Sequence, residues 1–209
     1  MPTVTGLAPD PRRPGYRLVD VDRGRFASLP GEAPDVLALR VGQALAPELF
    51  ARLQALADLE AAYRAAARAL ALRAHARFDL RRRLLHKAHP PAAVEGALAR
   101  LDAQGLLDDG RYAAQYAAAK AARGRGSSRL VADLLAQGVD RTLAEDAVRR
   151  ALDEEGIAPE DAARAVAARR AAQLGDLPVP VRKRRLLAFL ERRGYRGAWV
   201  RKVVEEVAG

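Results

Sequence analysis

The feature that most narrows the fold is a degenerate repeat. From about Leu59 onward, apolar residues recur three and four positions apart, the spacing of one helix face. The first unit carries Tyr63, Ala66, Ala67 and Leu70, then Leu80, Leu84 and Leu85, then Val94, Ala97, Leu98 and Leu101. The second carries Tyr112, Tyr116 and Ala119, then Leu130, Leu134 and Leu135, then Ala144, Ala147, Val148 and Ala151. The third carries Val166 and Ala167, then Leu186, Leu187 and Leu190, then Val200, Val203, Val204 and Val207. The breaks recur as well: Gly105 is matched by Gly156, and Ala88 by Gly138 and Gly194. Three helices in about fifty residues, present three times, fit a tandem array whose units pack mainly on their neighbours. The third copy is longer in its first half, around "QLGDLPVPV".

Composition agrees with a mainly α fold. Half the residues are hydrophobic but only 5% are aromatic, and much of the apolar fraction is alanine. Alanine is the best helix former, whereas strands favour β-branched and aromatic residues. The absence of cysteine excludes disulfides, thiolate metal sites and cysteine nucleophiles, and fits a reducing cytoplasm. No apolar run reaches the roughly 18 residues of a membrane span, and "MPTVTGLAPDPRRPGYR" lacks the apolar core of a signal peptide. A cytoplasmic protein is expected.

The expected organisation has five parts. Residues 1–15, rich in Pro, Gly and Arg, read as a flexible basic arm. Residues 16–58 form a small N-terminal extension. Its "YRLVDVDRGRFASL" carries the only hairpin pattern in the chain. A short helix is expected over Val36–Val41, and Pro47 suits the first turn of another. The three repeats then span 59–107, 108–158 and 159–209.

"GLLDDGRYAAQY", Gly105 to Tyr116, joins the first two repeats. Gly105 sits where a helix-terminating glycine belongs, and Asp108 is a good N-cap. That register makes Leu107 and Tyr112 a hydrophobic-staple pair. It puts Asp109 in the first turn, where the helix dipole favours a carboxylate. Tyr116 lies one turn beyond Tyr112 on the same face. These five residues, Gly105, Leu107, Asp108, Tyr112 and Tyr116, read as scaffold rather than as a catalytic carboxylate site.

The net charge of +10 points to a polyanionic partner. It is unevenly spread: residues 1–76 carry +2, 77–129 carry +6, 130–159 carry −4 and 160–209 carry +6. Three stretches concentrate arginine. "RFDLRRRLLHK" contains Arg77, Arg81 and Arg82, with Arg77 and Arg81 four apart on one face. "ARGRGSSRL" contains Arg123, Arg125 and Arg129 around glycines that permit close backbone approach. "VRKRRLLAFLERRGYR" contains Arg184 and Arg185. Such faces can neutralise phosphates without reading bases. In "ARGRGSSRL", Ser127 or Ser128 can cap the following helix, whose N-terminus could hold a phosphate. An interhelical turn with solvated arginines accounts for the same loop, and the two readings are compatible. Trp199 sits beside an apolar helix face, which favours core packing over base stacking.

Catalytic and cofactor chemistry find no foothold. No nucleophile is paired with a base, and no nucleotide fingerprint is present; the glycine-arginine loop lacks the P-loop spacing. His86 and His89 are three apart, but Pro90 and Pro91 end the helix, and no further ligand has metal spacing. Catalytic residues, cofactor and metal are all expected to be none.

These residues resemble a known family. "GLLDDGRYAAQYAAAKAARGRGSSRLVADLLAQGVD" is similar to the central signature of the RecX family of recombinase regulators. "ALRAHARFDLRRRLLHKAHPPAAVEGALARLDAQ" is similar to its first repeat. The likeness runs from about Leu59 to Val207. It departs at Ala76 and Phe78–Asp79, where the family often has serine and glutamate, and at Ala88, where a glycine is usual.

The resemblance implies an elongated, curved array of three-helix repeats that binds along the groove of the RecA–DNA filament. It implies inhibition of filament growth, ATP hydrolysis, strand exchange and the coprotease function behind the SOS response. The implied partner is RecA on single-stranded DNA, with direct contact to single- or double-stranded DNA also open. A monomer is expected. Arg77, Arg81, Arg82, Arg123, Arg125, Arg129, Arg184 and Arg185 are the expected filament contacts. Two alternatives stay open: a nucleic-acid-binding regulator acting without RecA, and a helical-repeat adaptor for another protein.

Overall fold

The computed structural model describes residues 1–156 and 158–209. It contains three strands and, among the described residues, ten helices. The chain divides into two compact units. The first comprises Met1–His75 and Leu80–Leu107, the second Ala76–Asp79 and Asp108–Gly209.

In the first unit, β1 (Val4–Pro9), β2 (Tyr16–Val21) and β3 (Gly24–Pro30) form an antiparallel meander in the order β1-β2-β3. The expected hairpin is β2–β3. Asp22 and Arg23 both take positive φ at its turn, +48° and +64°, the geometry whose twist matches the strands.

The flexible-arm reading of residues 1–15 is overturned by β1. Val4, Leu7 and Ala8 pair with Val21, Val19 and Leu18, and Val4 is fully buried. The side chains of Asp22 and Thr5 accept the amides of Thr3 and Arg23 at 2.9 Å. Val4 and Leu7 among Thr, Gly, Ala and Pro give little local signal; the strand exists because β2 offers its edge.

The sheet buries Val4, Val19 and Leu29 against Leu37, Leu39, Leu45 and Leu53. The short helix α1 is Ala33–Val36, ahead of the expected Val36–Val41. Helix α2 runs unbroken from Pro47 to Leu72, so it crosses the boundary expected near residue 58. Nothing between Glu48 and Ala76 is Gly or Pro, and the run is dense in strong helix formers. The N-terminal half of α2 packs on the sheet, and its C-terminal half is the first helix of the first repeat.

Helices α3 (Arg77–His86) and α4 (Pro91–Ala103) complete that repeat. The second repeat is α5 (Asp109–Ala121), α6 (Ser127–Ala136) and α7 (Arg141–Glu155). The third is α8 (Pro159–Leu174), α9 (Val179–Arg192) and α10 (Ala198–Ala208). In every repeat the first helix packs on the third. Alanine lets these backbones approach: Ala62, Ala93 and Ala97 form one cluster, and Ala113, Ala117, Ala144 and Ala147 lie in the core of the second repeat.

The second helices end alike. The amides of His89, Val139 and Tyr195 donate to the carbonyls of Leu84, Leu134 and Leu190, the six-to-one bond of a Schellman motif. Ala88, Gly138 and Gly194 occupy the left-handed position, at φ +60°, +80° and +91°. The first helices of the second and third repeats start on different caps. Asp108 Oδ1 accepts the Arg111 amide at 2.9 Å, while α8 begins with Pro159.

A buried ionic cluster ties the sheet to the helices within the first unit. Glu60, on α2, is 1% exposed. It pairs with Arg100 of α4 at 2.5 Å and lies 3.8 Å from Arg13. The Arg13 guanidinium stacks 3.6 Å from the Tyr16 ring centre, and Arg100 stacks 4.1 Å from that of Tyr63. No helix among the described residues is long and apolar enough to cross a membrane.

Candidate nucleic-acid interface

The two aspartates of "GLLDDGRY" serve different helices. Asp108 caps α5, and Asp109 Oδ1 accepts the backbone amide of Arg77 at 2.7 Å, satisfying a donor at the start of α3. Gly105 takes the left-handed conformation after α4, at φ +65°. Leu107 and Tyr112 are both buried. Leu107 packs with Leu80, Leu84 and Leu101, and Tyr112 with Leu130, Leu134 and Val148. Tyr112 donates its phenol to Gln137, and Tyr116 donates to Asp133 at 3.1 Å. Both tyrosines thereby join α5 to α6.

The loop Arg123–Gly126 follows α5 and leads into α6. Gly126, rather than Ser127 or Ser128, is the N-cap, with no side-chain cap bond. The turn after α9 lies against it. The Gly126 amide donates to the Arg193 carbonyl at 2.8 Å, and a Cβ on Gly126 would stand 2.6 Å from the Gly194 carbonyl. Gly126 therefore admits another stretch of backbone, and Gly124 admits the Val166 side chain, whose Cγ1 would stand 2.4 Å from an added Cβ. Arg193 completes the lock: its Nη1 donates to the carbonyls of Arg123 and Gly124, each at 2.9 Å.

This joint between the second and third repeats gathers positive charge. Lys120, Arg123, Arg125, Arg129, Arg192 and Arg193 line a cleft of about 540 Å³. An adjoining pocket of about 230 Å³ shares Arg123 and Arg193 and adds Arg169 and Arg170 beside Val166, Gln173 and Phe189. Eight cationic side chains thus line one continuous depression, and neither lining contains a carboxylate. The Phe189 ring lies under Arg193, at 5.0 Å, and Arg170, at 5.7 Å, which orients both guanidinium groups. Close cations raise the local potential and favour polyanions, with low-dielectric walls focusing the field.

One carboxylate, outside the lining, reaches two of these arginines. Asp133, on α6, pairs with Arg125 and, at 2.9 Å, with Arg129. Burial raises the Tyr116 phenol above its ordinary pKa, and the neighbouring Asp133 charge raises it further. Tyr195, buried in the α8–α10 core, is likewise raised by desolvation. Its ring meets Trp199 edge-on, 6.3 Å between centres; Trp199 packs against this core as its apolar neighbours imply.

Of the eight arginines singled out in the sequence, the fold gathers Arg123, Arg125 and Arg129. Arg184 and Arg185 are exposed on α9 outside the cleft lining. Arg77 begins α3, Arg81 pairs with Glu95 of α4 at 2.5 Å, and Arg82 is exposed. Sequence reasoning left Lys120, Arg169, Arg170, Arg192 and Arg193 out of its contact set. Lys120 precedes Arg123 by one helical turn, and Arg192–Arg193 precede a repeat-joint glycine, so both carried a usable signal. Arg169 and Arg170 carried none, because their meeting with the Arg123 loop and α9 is purely tertiary. Among the described residues, no group of three or more His, Cys, Asp or Glu side chains could hold a metal.

Fold and cleft together define a class: tandem three-helix-repeat proteins with a polycationic depression at a repeat joint. The family model described as "RecX, second three-helix domain" matches residues 108–148. The regulatory protein RecX of Thermobifida fusca (strain YX) is 36% identical over 182 residues, covering 85% of this chain and 91% of that one. That of Pseudomonas syringae pv. tomato (strain ATCC BAA-871 / DC3000) is 38% identical over 127 residues, covering 60% and 78%. A crystal structure of regulatory protein RecX matches 99% of this chain and 100% of its own with a TM-score of 0.74, at 18% identity. This chain belongs to the RecX family.

Proposed function

We propose that this protein regulates homologous recombination and the SOS response by binding RecA filaments on single-stranded DNA. In this reading it inhibits filament growth, ATP hydrolysis, strand exchange and coprotease activity, by binding rather than by catalysis. It works as a cytoplasmic monomer whose repeats, 59–107, 108–158 and 159–209, are its binding modules. The observation that carries the reading is the eight-cation depression at the joint of the second and third repeats, in a chain of this family. Arg123, Arg125 and Arg129, with Lys120, Arg192 and Arg193, meet DNA phosphates there. Arg77, Arg81, Arg82, Arg184 and Arg185 are proposed as outer contacts to filament or DNA. Phosphate contact of this kind positions a protein on nucleic acid without reading its sequence.

The test is RecA ATPase on single-stranded DNA with this protein titrated up to the RecA concentration. Inhibition is expected, and Arg123→Gln with Arg192→Gln should weaken it. Inhibition far below one molecule per RecA means blockage of a growing end; inhibition only near saturation means coating of the groove. No change at any ratio, with no filament binding, sinks the proposal and leaves a free nucleic-acid binder or an adaptor.

A further inference from the structure

Two of the cleft arginines are already paired with an anion of the protein's own, which lies outside the lining. Asp133 is the only carboxylate ion-paired with any of the eight cleft cations among the described residues. Its side chain is 12% exposed and is held from three directions: by Arg125, by Arg129 at 2.9 Å and by the Tyr116 hydroxyl at 3.1 Å. A carboxylate gripped by two guanidinium groups and a hydroxyl presents the same acceptor chemistry as a phosphate. The remaining cations are placed differently. Arg193 is tied to main-chain carbonyls, Arg170 to the Gln173 amide, and Lys120 lies over the Tyr116 ring.

Resting on the reading of the cleft as a DNA-phosphate site, we propose that Asp133 is a built-in competitor of the incoming phosphate. In the free protein it occupies Arg125 and Arg129. A nucleic-acid backbone entering the cleft takes these two arginines from it. The exchange trades one ion pair for another, so these arginines add little net affinity, and Asp133 subtracts its charge from the cleft. Binding is thereby held weak and readily reversed. Arg123 and Arg192, which have exposed side chains on the cleft rim, supply the net attraction.

The experiment measures binding of a short fluorescein-labelled oligodeoxythymidine by anisotropy across a salt series. It compares the wild type, Asp133→Asn, and Arg123→Gln with Arg192→Gln. Asp133→Asn is expected to bind several-fold tighter, with a salt slope steeper by roughly 0.7 for each phosphate newly neutralised. The double arginine variant is expected to bind more weakly, with a shallower slope. If Asp133→Asn binds more weakly while the arginine pair also matters, Asp133 positions the arginines and the competitor proposal is overturned, with the cleft reading intact. If neither set changes binding, the cleft reading itself fails.

A second measurement needs no variant. In the wild type, the Nε–H resonances of Arg125 and Arg129 should move as oligonucleotide is added. Binding that leaves both unmoved overturns the exchange.

Discussion

Gly194→Ala should damage the second unit far more than an ordinary glycine substitution, because two separate penalties meet there. The residue sits at φ +91°, and an L side chain in the left-handed region costs roughly 1–2 kcal/mol. The added Cβ would also lie 2.3 Å from the Arg129 amide nitrogen and 2.4 Å from the Arg129 Cβ. Comfortable carbon contacts lie at about 3.5–4.0 Å, so the α9–α10 turn and the start of α6 must separate by more than an ångström. Forcing extra volume into a packed contact costs about 1–3 kcal/mol.

Gly156→Ala is the matched control. Its φ is +64° and a Cβ added there would meet no atom within 4 Å among the described residues, so the conformational penalty is the one that applies. The difference between the variants should be about 1–3 kcal/mol, a further fall in melting temperature of roughly 3–10 °C. Urea and thermal unfolding followed by circular dichroism measure both. Gly194→Ala should also weaken oligonucleotide binding, because Arg193 precedes it and anchors the cleft to Arg123 and Gly124. If the two variants melt together, the backbone joint is not what holds the second and third repeats in register.

Three further outcomes are expected. Glu60→Gln should cost about 2 kcal/mol in urea unfolding, low for a broken buried pair because the Arg100 side chain keeps 34% exposure and can rehydrate; an unchanged midpoint would exclude the ionic anchor. Ala88→Gly should stabilise the protein by about 0.5–1 kcal/mol by relieving its left-handed strain, φ +60°, and a lower melting temperature would contradict this. Tyr116 and Tyr195 both have folded pKa values raised above 10.0. Their contribution to stability is therefore complete below pH 10 and is lost as pH rises through the folded values. Phenolate absorbance should lag in the native protein and then appear with unfolding, and early titration of all five tyrosines would refute it.

The repeat was legible because it is local. Three-and-four apolar spacing, Asp108 as a cap and the left-handed joints at Gly105, Gly138 and Gly194 are short-range consequences of helix geometry. They predict helices and their ends without reference to anything distant. Ala88 fits the same place against its propensity, and only alignment with the other copies exposed it. The first strand escaped detection because Val4–Pro9 is stabilised by an edge supplied by Tyr16–Val21, not by its own pattern. Glu60 escaped too: on a helix rich in alanine it reads as solvated, and burial with Arg13 and Arg100 is decided by the sheet folding over it.

The cleft divides along the same line. Sequence alone determined that positive charge is concentrated in blocks and that "ARGRGSSRL" is a loop between helices. Tertiary structure decided which arginines meet. It brought Arg192 and Arg193, about seventy residues away in the chain, onto that loop through the Gly126–Gly194 contact. It also left Arg184 and Arg185 outside the lining. Helix formation depends on neighbours a turn apart, so it is written in the local order of residues. Charge convergence depends on how repeats dock, and that is fixed by backbone approach at two glycines far apart in the chain.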